Sequence, residues 1–231
     1  MRLPGAPERL SGWWDAAAMP RLVDVVLSDR TVGPWREQAY AGVSGTVLEV
    51  GFGSGLSLPF YGEEVTRVLA AEPSDLAWER SAERRSAFGR PVERVAVDAA
   101  RLPLPDGGVD AAVASWALCT VPDLPGALAE VARVLRPGGA LHAVEHSRAP
   151  DAPTARAQRL LQPAWGPLAG GCHLDRDVPA ALRAAGYAVD VRREAYAVPW
   201  WPARVAGWFV VVTAQRPNMR DIIPPLGAAS A

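Results

Sequence analysis

The chain has 231 residues, 49% of them apolar, and a formal net charge of −1. So even a balance of charge gives no electrostatic case for a nucleic-acid partner. All 24 basic residues are arginine, which excludes a Schiff-base lysine and a P-loop lysine. The two cysteines, Cys119 and Cys172, stand far apart and in no CxxC pattern, which suits a reducing compartment and indicates no disulfide framework. The first twenty residues lack the apolar core of a signal peptide, and no apolar run approaches the length of a membrane span. A soluble, cytoplasmic protein with no integral membrane segment is expected, its oligomeric state left open.

In chain order, Leu22, Val23, Val26 and Leu27 form a helical stripe within 19–27, and the first 45 residues read as a helical cap. Strand and helix then alternate. A strand over 46–50 leads through a glycine turn into a helix near 55–61. A strand over 67–72 is followed by a helix capped by Ser74 and running to about 88. Further strands fall at 92–98 and 109–115, separated by the turn-rich "RLPLPDGG". Leu124, Leu128, Val131 and Leu135 mark a helix over 123–136, which "RPGG" stops, because proline lacks the N–H and glycine accepts positive φ. A fifth strand over 140–146 precedes a long connection, 147–176, with a helix of its own at 154–161. A helix at 177–185 and strands at 187–193 and 205–214 complete the pattern.

Alternation of this kind predicts an α/β fold, a doubly wound and mostly parallel sheet. The last two strands, joined without a helix, predict a hairpin with one antiparallel member. One domain over 46–215 is expected, with the residues from 216 as a flexible tail.

The run Val47 to Leu58, "VLEVGFGSGLSL", carries the chemistry. A strand followed by GxGxG brings backbone N–H groups and a bare chain close to a ligand. A dinucleotide fold wants GxGxxG, but here the third glycine is Gly55 and the next position is Leu56. Glu49 on the approach disfavours a pyrophosphate and suits a ligand with an ammonium group. Glu72 ends the second strand, where an acid can take both hydroxyls of a ribose. Asp98 ends the third, placed for an adenine amino group. Ammonium, ribose and adenine together describe S-adenosylmethionine. Each feature has a plainer reading: a tight turn, an acid favoured at a helix N-terminus, an ordinary loop acid.

Glu49-x-Gly51-x-Gly53-x-Gly55, Glu72, Asp98 and "RVLRPGG" resemble the class I S-adenosylmethionine-dependent methyltransferases over roughly 45–215. The resemblance implies a seven-stranded Rossmann-like sheet in the order 3-2-1-4-5-7-6 with strand seven antiparallel. It implies that Gly51, Gly53 and Gly55 line the methionine moiety, that Glu49 helps hold its amino group, that Glu72 binds the ribose and that Asp98 and Ala99 meet the adenine. Ser115 and Trp116 would close the pocket, and S-adenosylhomocysteine would be the product. "ALCTVPD" (117–123), "EH" (145–146) and "LQPAWGPLAGGCHLDRD" (161–177) further resemble the methyltransferase-like thiol S-methyltransferases and bacterial relatives described as phospholipid or quinone methyltransferases. That likeness implies a small lipophilic acceptor, a thiol first; oxygen or nitrogen acceptors (a natural product, lipid amine or quinone) and a non-catalytic cofactor-binding module are the competing readings.

A thiol acceptor must lose its proton, because the thiolate is the nucleophile. His146, at the end of strand five, is the first candidate base and His173 the second, with Asp175 able to orient one of them; a structural hydrogen bond is the alternative for His146. His142 reads as packing and Cys119 as a small buried hydrophobe. Cys172 with His173 has half the ligands of a metal site, so no metal is expected. Glu145 is open between pocket acid and satisfied strand-end residue. Trp13, Trp14, Trp165, Trp200 and Trp201 either line an apolar acceptor cavity or pack in the ordinary way.

Overall fold

The computed structural model describes Leu27, residues 29–198 and residues 200–216. The expected helix at 19–27 (Leu27 apart), Trp13, Trp14 and the expected tail beyond 216 lie outside the described residues. The elements are α1 (Asp29–Tyr40), β1 (Gly45–Val50), β2 (Val65–Ala71), α2 (Asp75–Arg80), α3 (Ala82–Phe88), β3 (Val92–Ala96), β4 (Val109–Ser115), α4 (Leu124–Val134), β5 (Leu135–His146), α5 (Ala152–Leu168), α6 (Val178–Ala184), β6 (Ala188–Tyr196) and β7 (Trp208–Gln215).

The seven strands form one sheet in the order β3-β2-β1-β4-β5-β7-β6. β1 pairs in parallel with both β2 and β4, and β7 runs antiparallel to both β5 and β6. The order is the one the family resemblance implies, and an antiparallel member of the last hairpin is also what the helix-free junction of the last two strands predicts. Buried runs such as Val47 to Val50 have apolar cover on both faces, as a parallel sheet requires. Alternation splits the core in two. Leu48, Leu69, Ala112 and Leu141 face Leu128, Val131 and Leu182 from α4 and α6. Val47, Val68, Val113 and Val211 face Trp35, Ala39 and Tyr40 from α1. Glu49 shares the period-two face of Val47 and is carried into the second core. His142 approaches the backbone of Ala39 on α1, a packing position.

Several element boundaries differ from the expectations, each for a local reason. The glycine turn is followed by a single 3-10 turn, Leu58–Phe60, and not by an α-helix over 55–61; Gly51, Gly53 and Gly55 all hold positive φ, Pro59 lacks a donor and Gly62 follows at once. The helix expected to run to 88 is two, α2 and α3, parted at Ser81, whose hydroxyl donates to the Trp78 carbonyl at 2.6 Å. α4 stops at Val134, and β5 begins at Leu135 instead of 140. Leu135 pairs with Val109 and Ala140 with Ala111, so 136–139 loops out as a bulge within the strand. β3 ends at Ala96, which leaves Asp98 in the following turn. α5 is far longer than 154–161, because Asp151 caps it through the Thr154 N–H at 3.1 Å. β7 starts at Trp208, not 205; Val205 sits in a 3-10 turn, Ala203–Ala206. Among the described residues, no helix is long and apolar enough to cross a membrane.

Candidate cofactor and acceptor site

At the carboxyl ends of β1 and β2 the glycines are bare for different reasons. A Cβ on Gly51 would collide with the Cβ of Ala117, so this glycine is demanded by close approach of the β4 loop. A Cβ on Gly53 would meet nothing within 4 Å, so no protein contact demands its bareness; it faces open space at φ 59°. A Cβ on Gly55 would press on Leu58, Phe52 and Ser81 at 3.2–3.3 Å.

Glu72 is 5% exposed and holds the turn. One carboxylate oxygen accepts the Gly53 N–H at 2.6 Å and the other the Ser74 N–H at 2.7 Å. Burial raises its pKa against the pull of those two N–H groups. Each oxygen has a second lone pair left for a ligand hydroxyl. Asp98 is exposed beyond β3, with one oxygen on the Ala100 N–H at 2.9 Å, and Ala99 is half-buried beside it. An open groove runs past them between Arg94, Val97 and Arg101.

Glu49, expected to help hold the amino group of the cofactor, is enclosed by other side chains. It has no exposed surface, and accepts from Tyr61 Oη at 2.9 Å and Tyr40 Oη at 3.3 Å. Burial pushes its carboxyl up to about 7, although hydroxyl donors, Ser57 first, oppose this. Tyr40 also meets Ser115 Oγ at 2.9 Å. Glu49 is therefore buried behind these hydroxyl groups.

The carboxyl ends of β4 and β5 form the other half. Trp116 holds φ 50°, a left-handed turn that points the next three N–H groups inward. Glu145, fully buried, accepts all three: Ala117 at 2.9 Å, Leu118 at 2.8 Å and Cys119 at 3.1 Å. Burial raises its carboxyl to about 7 in spite of them. Arg176 braces the same turn, donating to the carbonyls of Leu118 at 2.6 Å and Val121 at 2.9 Å. Glu145 is thus a satisfied residue that holds the turn after β4. Arg176 and Gln162, which donates to the Cys172 carbonyl at 3.2 Å, are supports that sequence reasoning missed. Their only sequence signal was membership of the 161–177 likeness.

His146 is 4% exposed, with Nε2 buried and without a hydrogen-bond partner. Its Nδ1 faces Cys172 Sγ at 4.0 Å, so the group able to orient it is Cys172 and not Asp175. His173 lies against Cys119, its backbone N–H donating to the Cys119 carbonyl at 2.9 Å and its Nδ1 3.2 Å from the same oxygen. The two cysteines, read from the sequence as unrelated, are brought together. The neighbouring Cys119 thiol first, and His146 after it, pull Cys172 well below the usual thiol range despite its burial. Cys119 is pushed well above the usual thiol range by Cys172 and by burial. The indole N–H groups of Trp116 and Trp165 are also buried without a partner. Among the described residues no cluster could hold a metal ion.

Comparison with known proteins places this arrangement. A methyltransferase domain model matches residues 48–143. Human thiol S-methyltransferase TMT1B is 32% identical over 170 residues, covering 70% of this chain and 68% of that protein. The chain belongs to the class I S-adenosylmethionine-dependent methyltransferases. Human thiol S-methyltransferase TMT1A is 37% identical over 159 residues, 65% of this chain, and the match spans 64% of that protein's length. An S-adenosylmethionine-dependent methyltransferase from Thermotoga maritima shares the fold, with a TM-score of 0.62 at 21% identity over 88% of this chain and 99% of that one.

S-adenosylmethionine is the family's cofactor, and this methyltransferase domain fits it. The open side of Gly53 leaves room for a ligand against the backbone, and Glu72 keeps free lone pairs next to that opening. The Trp116 N–H at the end of β4 is a buried donor without a partner.

Proposed function

We propose that this chain transfers a methyl group to a small lipophilic acceptor, in the first instance a thiol sulfur. The observation that carries the reading is His146: a buried imidazole at the carboxyl end of β5 with Nε2 unpartnered and a sulfur facing Nδ1. The resemblance to thiol S-methyltransferases over two thirds of the chain supports the choice of sulfur.

Gly53, Glu72, Asp98 and Ala99 would hold the cofactor, with Ser115 and Trp116 at its reactive end. S-adenosylmethionine supplies, when bound, an electrophilic methyl group on a positively charged sulfur. The residues of this chain do the rest. His146 Nε2 accepts the proton of the acceptor thiol. The Cys172 sulfur, negative beside Cys119, accepts the Nδ1 proton and so keeps Nε2 free as base, the part a carboxylate plays in hydrolase triads. Trp116 and Trp165 wall the space and keep water from the thiolate, and collinear positioning supplies much of the acceleration.

The test is a panel of lipophilic thiols, phenols and amines incubated with methyl-labelled cofactor. Thiol turnover above the others supports the reading. Turnover of phenols or amines alone moves the acceptor to oxygen or nitrogen. Tight cofactor binding with no turnover anywhere indicates a binding module.

A further inference from the structure

The pairing of Cys119 with Cys172 serves no step of methyl transfer beyond the tautomer of His146, and it has the parts of a second chemistry. The two thiols lie on loops remote in sequence, and each is the first cause of the other's displaced ionisation. Their backbones are tied by one hydrogen bond, from the N–H of His173 to the Cys119 carbonyl at 2.9 Å. That bond lays the chain at Cys172 alongside Cys119, and a disulfide would ask the two Cα atoms to stand roughly 4.4–6.8 Å apart. The two sulfurs differ in access: Cys119 is buried, whereas Cys172 is partly open. They also differ in surroundings. Cys172 faces the His146 imidazole at 4.0 Å, while the Cys119 thiol lies within hydrogen-bond reach of the Glu145 carboxylate.

We propose that Cys172 and Cys119 form a thiol–disulfide exchange site for small organic disulfides, with Cys172 as the attacking sulfur and Cys119 as the resolving one. The Cys172 thiolate attacks one sulfur of the disulfide; its S–S bond breaks, a mixed disulfide forms on Cys172, and the first organic thiolate leaves and takes a proton from solvent. The Cys119 thiol then gives its proton to the Glu145 carboxylate and attacks Cys172 Sγ, breaking the mixed disulfide. The second organic thiolate leaves and is protonated by Glu145. Two protein thiols are oxidised and one disulfide is reduced to two thiols, so electrons and protons balance. A low thiol pKa at Cys172 and the shielding of Cys119 set the order of attack.

The bridge would staple the turn after β4 to the loop between α5 and α6, and it would remove the negative sulfur from His146 Nδ1. Small lipophilic disulfides are the oxidised form of the acceptors proposed above, yet the site stands or falls without that reading, because its readout is the protein's own sulfur.

The reduced full chain is incubated with 2-hydroxyethyl disulfide, quenched in acid and mapped by mass spectrometry without reduction, folding being checked by circular dichroism. In the wild type the expected product is a peptide pair bridging Cys119 and Cys172 that dithiothreitol separates. In Cys119→Ser the mixed disulfide accumulates on Cys172. In Cys172→Ser, Cys119 reacts at least about tenfold more slowly than Cys172 does in Cys119→Ser. A folded wild type that stops at the mixed disulfide, that does not react, or in which Cys119 is captured at the rate of Cys172, overturns the proposal.

Discussion

At the glycine turn, the bond that holds the backbone is short in sequence: Gly53 and the Glu72 carboxylate are 19 residues apart. At the ends of β4 and β5, the bonds that hold the turn and its loop run longer: Glu145 meets Cys119 across 26 residues, His173 meets it across 54, and Arg176 meets Leu118 across 58. The first half is mostly backbone, with side chains bonding N–H groups of adjacent loops. The second is a cluster of buried titratable side chains, three of them acid or thiol groups moved far from their ordinary values. A backbone groove fails when a side chain is added to it. A cluster of titratable groups fails when one is taken away, and it responds to pH and to oxidants.

Adding atoms to the first half gives the largest expected effect. Gly53→Val places a branched side chain in the space left for the ligand. S-adenosylhomocysteine binding, measured by calorimetry, should weaken by more than about 1000-fold, roughly 4 kcal/mol. The fold should survive, since no protein atom lies within 4 Å of the new Cβ, and only the strain of a non-glycine residue at positive φ, of order 1–2 kcal/mol, is added. Unchanged affinity in a folded variant would remove the cofactor site from this turn.

Taking atoms from the second half comes next. Glu145→Ala strands the N–H groups of Ala117, Leu118 and Cys119. With buried unpaired donors costing about 1–3 kcal/mol each and water able to reach some of them, a loss of about 4 kcal/mol in urea unfolding is expected. A loss under about 1 kcal/mol would mean that the turn after Trp116 does not depend on this carboxylate.

That contrast governs what was legible. The alternation of strand and helix, the terminal hairpin and the glycine turn follow from local patterns, apolar runs broken by glycine and proline, and they stand in the structure; the strand order comes from the family resemblance and stands as well. The helix expected at 55–61 failed because three positive-φ glycines and Pro59 leave room for one 3-10 turn only. Glu49 was placed by its spacing from Gly51, but spacing does not reveal the two tyrosines that cover it, one from α1 and one from beyond the turn. The cysteine pair was illegible for the same reason on a larger scale: nothing local to Cys119 or Cys172 signals that α5 and Gln162 fold the second loop onto the first.

Glu49 tests whether the first half shares the sensitivity of the second. Burial holds its carboxyl protonated up to about 7, against 4.5 when free. The folded state therefore keeps a proton that the unfolded chain has lost between those values, and stability falls as pH rises through the window. Glu49→Gln removes this contribution, so its urea stability should be flatter than the wild type's between pH 5 and pH 8, by on the order of 3 kcal/mol. Parallel profiles would assign the slope to other buried acids, Glu145 and Glu72, and not to Glu49.

The smallest effect falls on the base. An ordinary thiol with pKa about 8.5 is about 3% ionised at pH 7, so a base that ionised it fully would accelerate methyl transfer by no more than about 30-fold. His146→Gln should therefore lower kcat towards a lipophilic thiol by about 30-fold at pH 7, near 2 kcal/mol, and leave the affinity for S-adenosylhomocysteine in place. Above about pH 9 the thiol ionises unaided, and the deficit should shrink to a few-fold. A deficit that stays constant with pH would make His146 a wall of the pocket. A deficit far beyond 30-fold would mean that the imidazole does more than remove a proton, for instance by holding the acceptor sulfur in line. Either outcome would redraw the boundary between the half of the site that binds and the half that reacts.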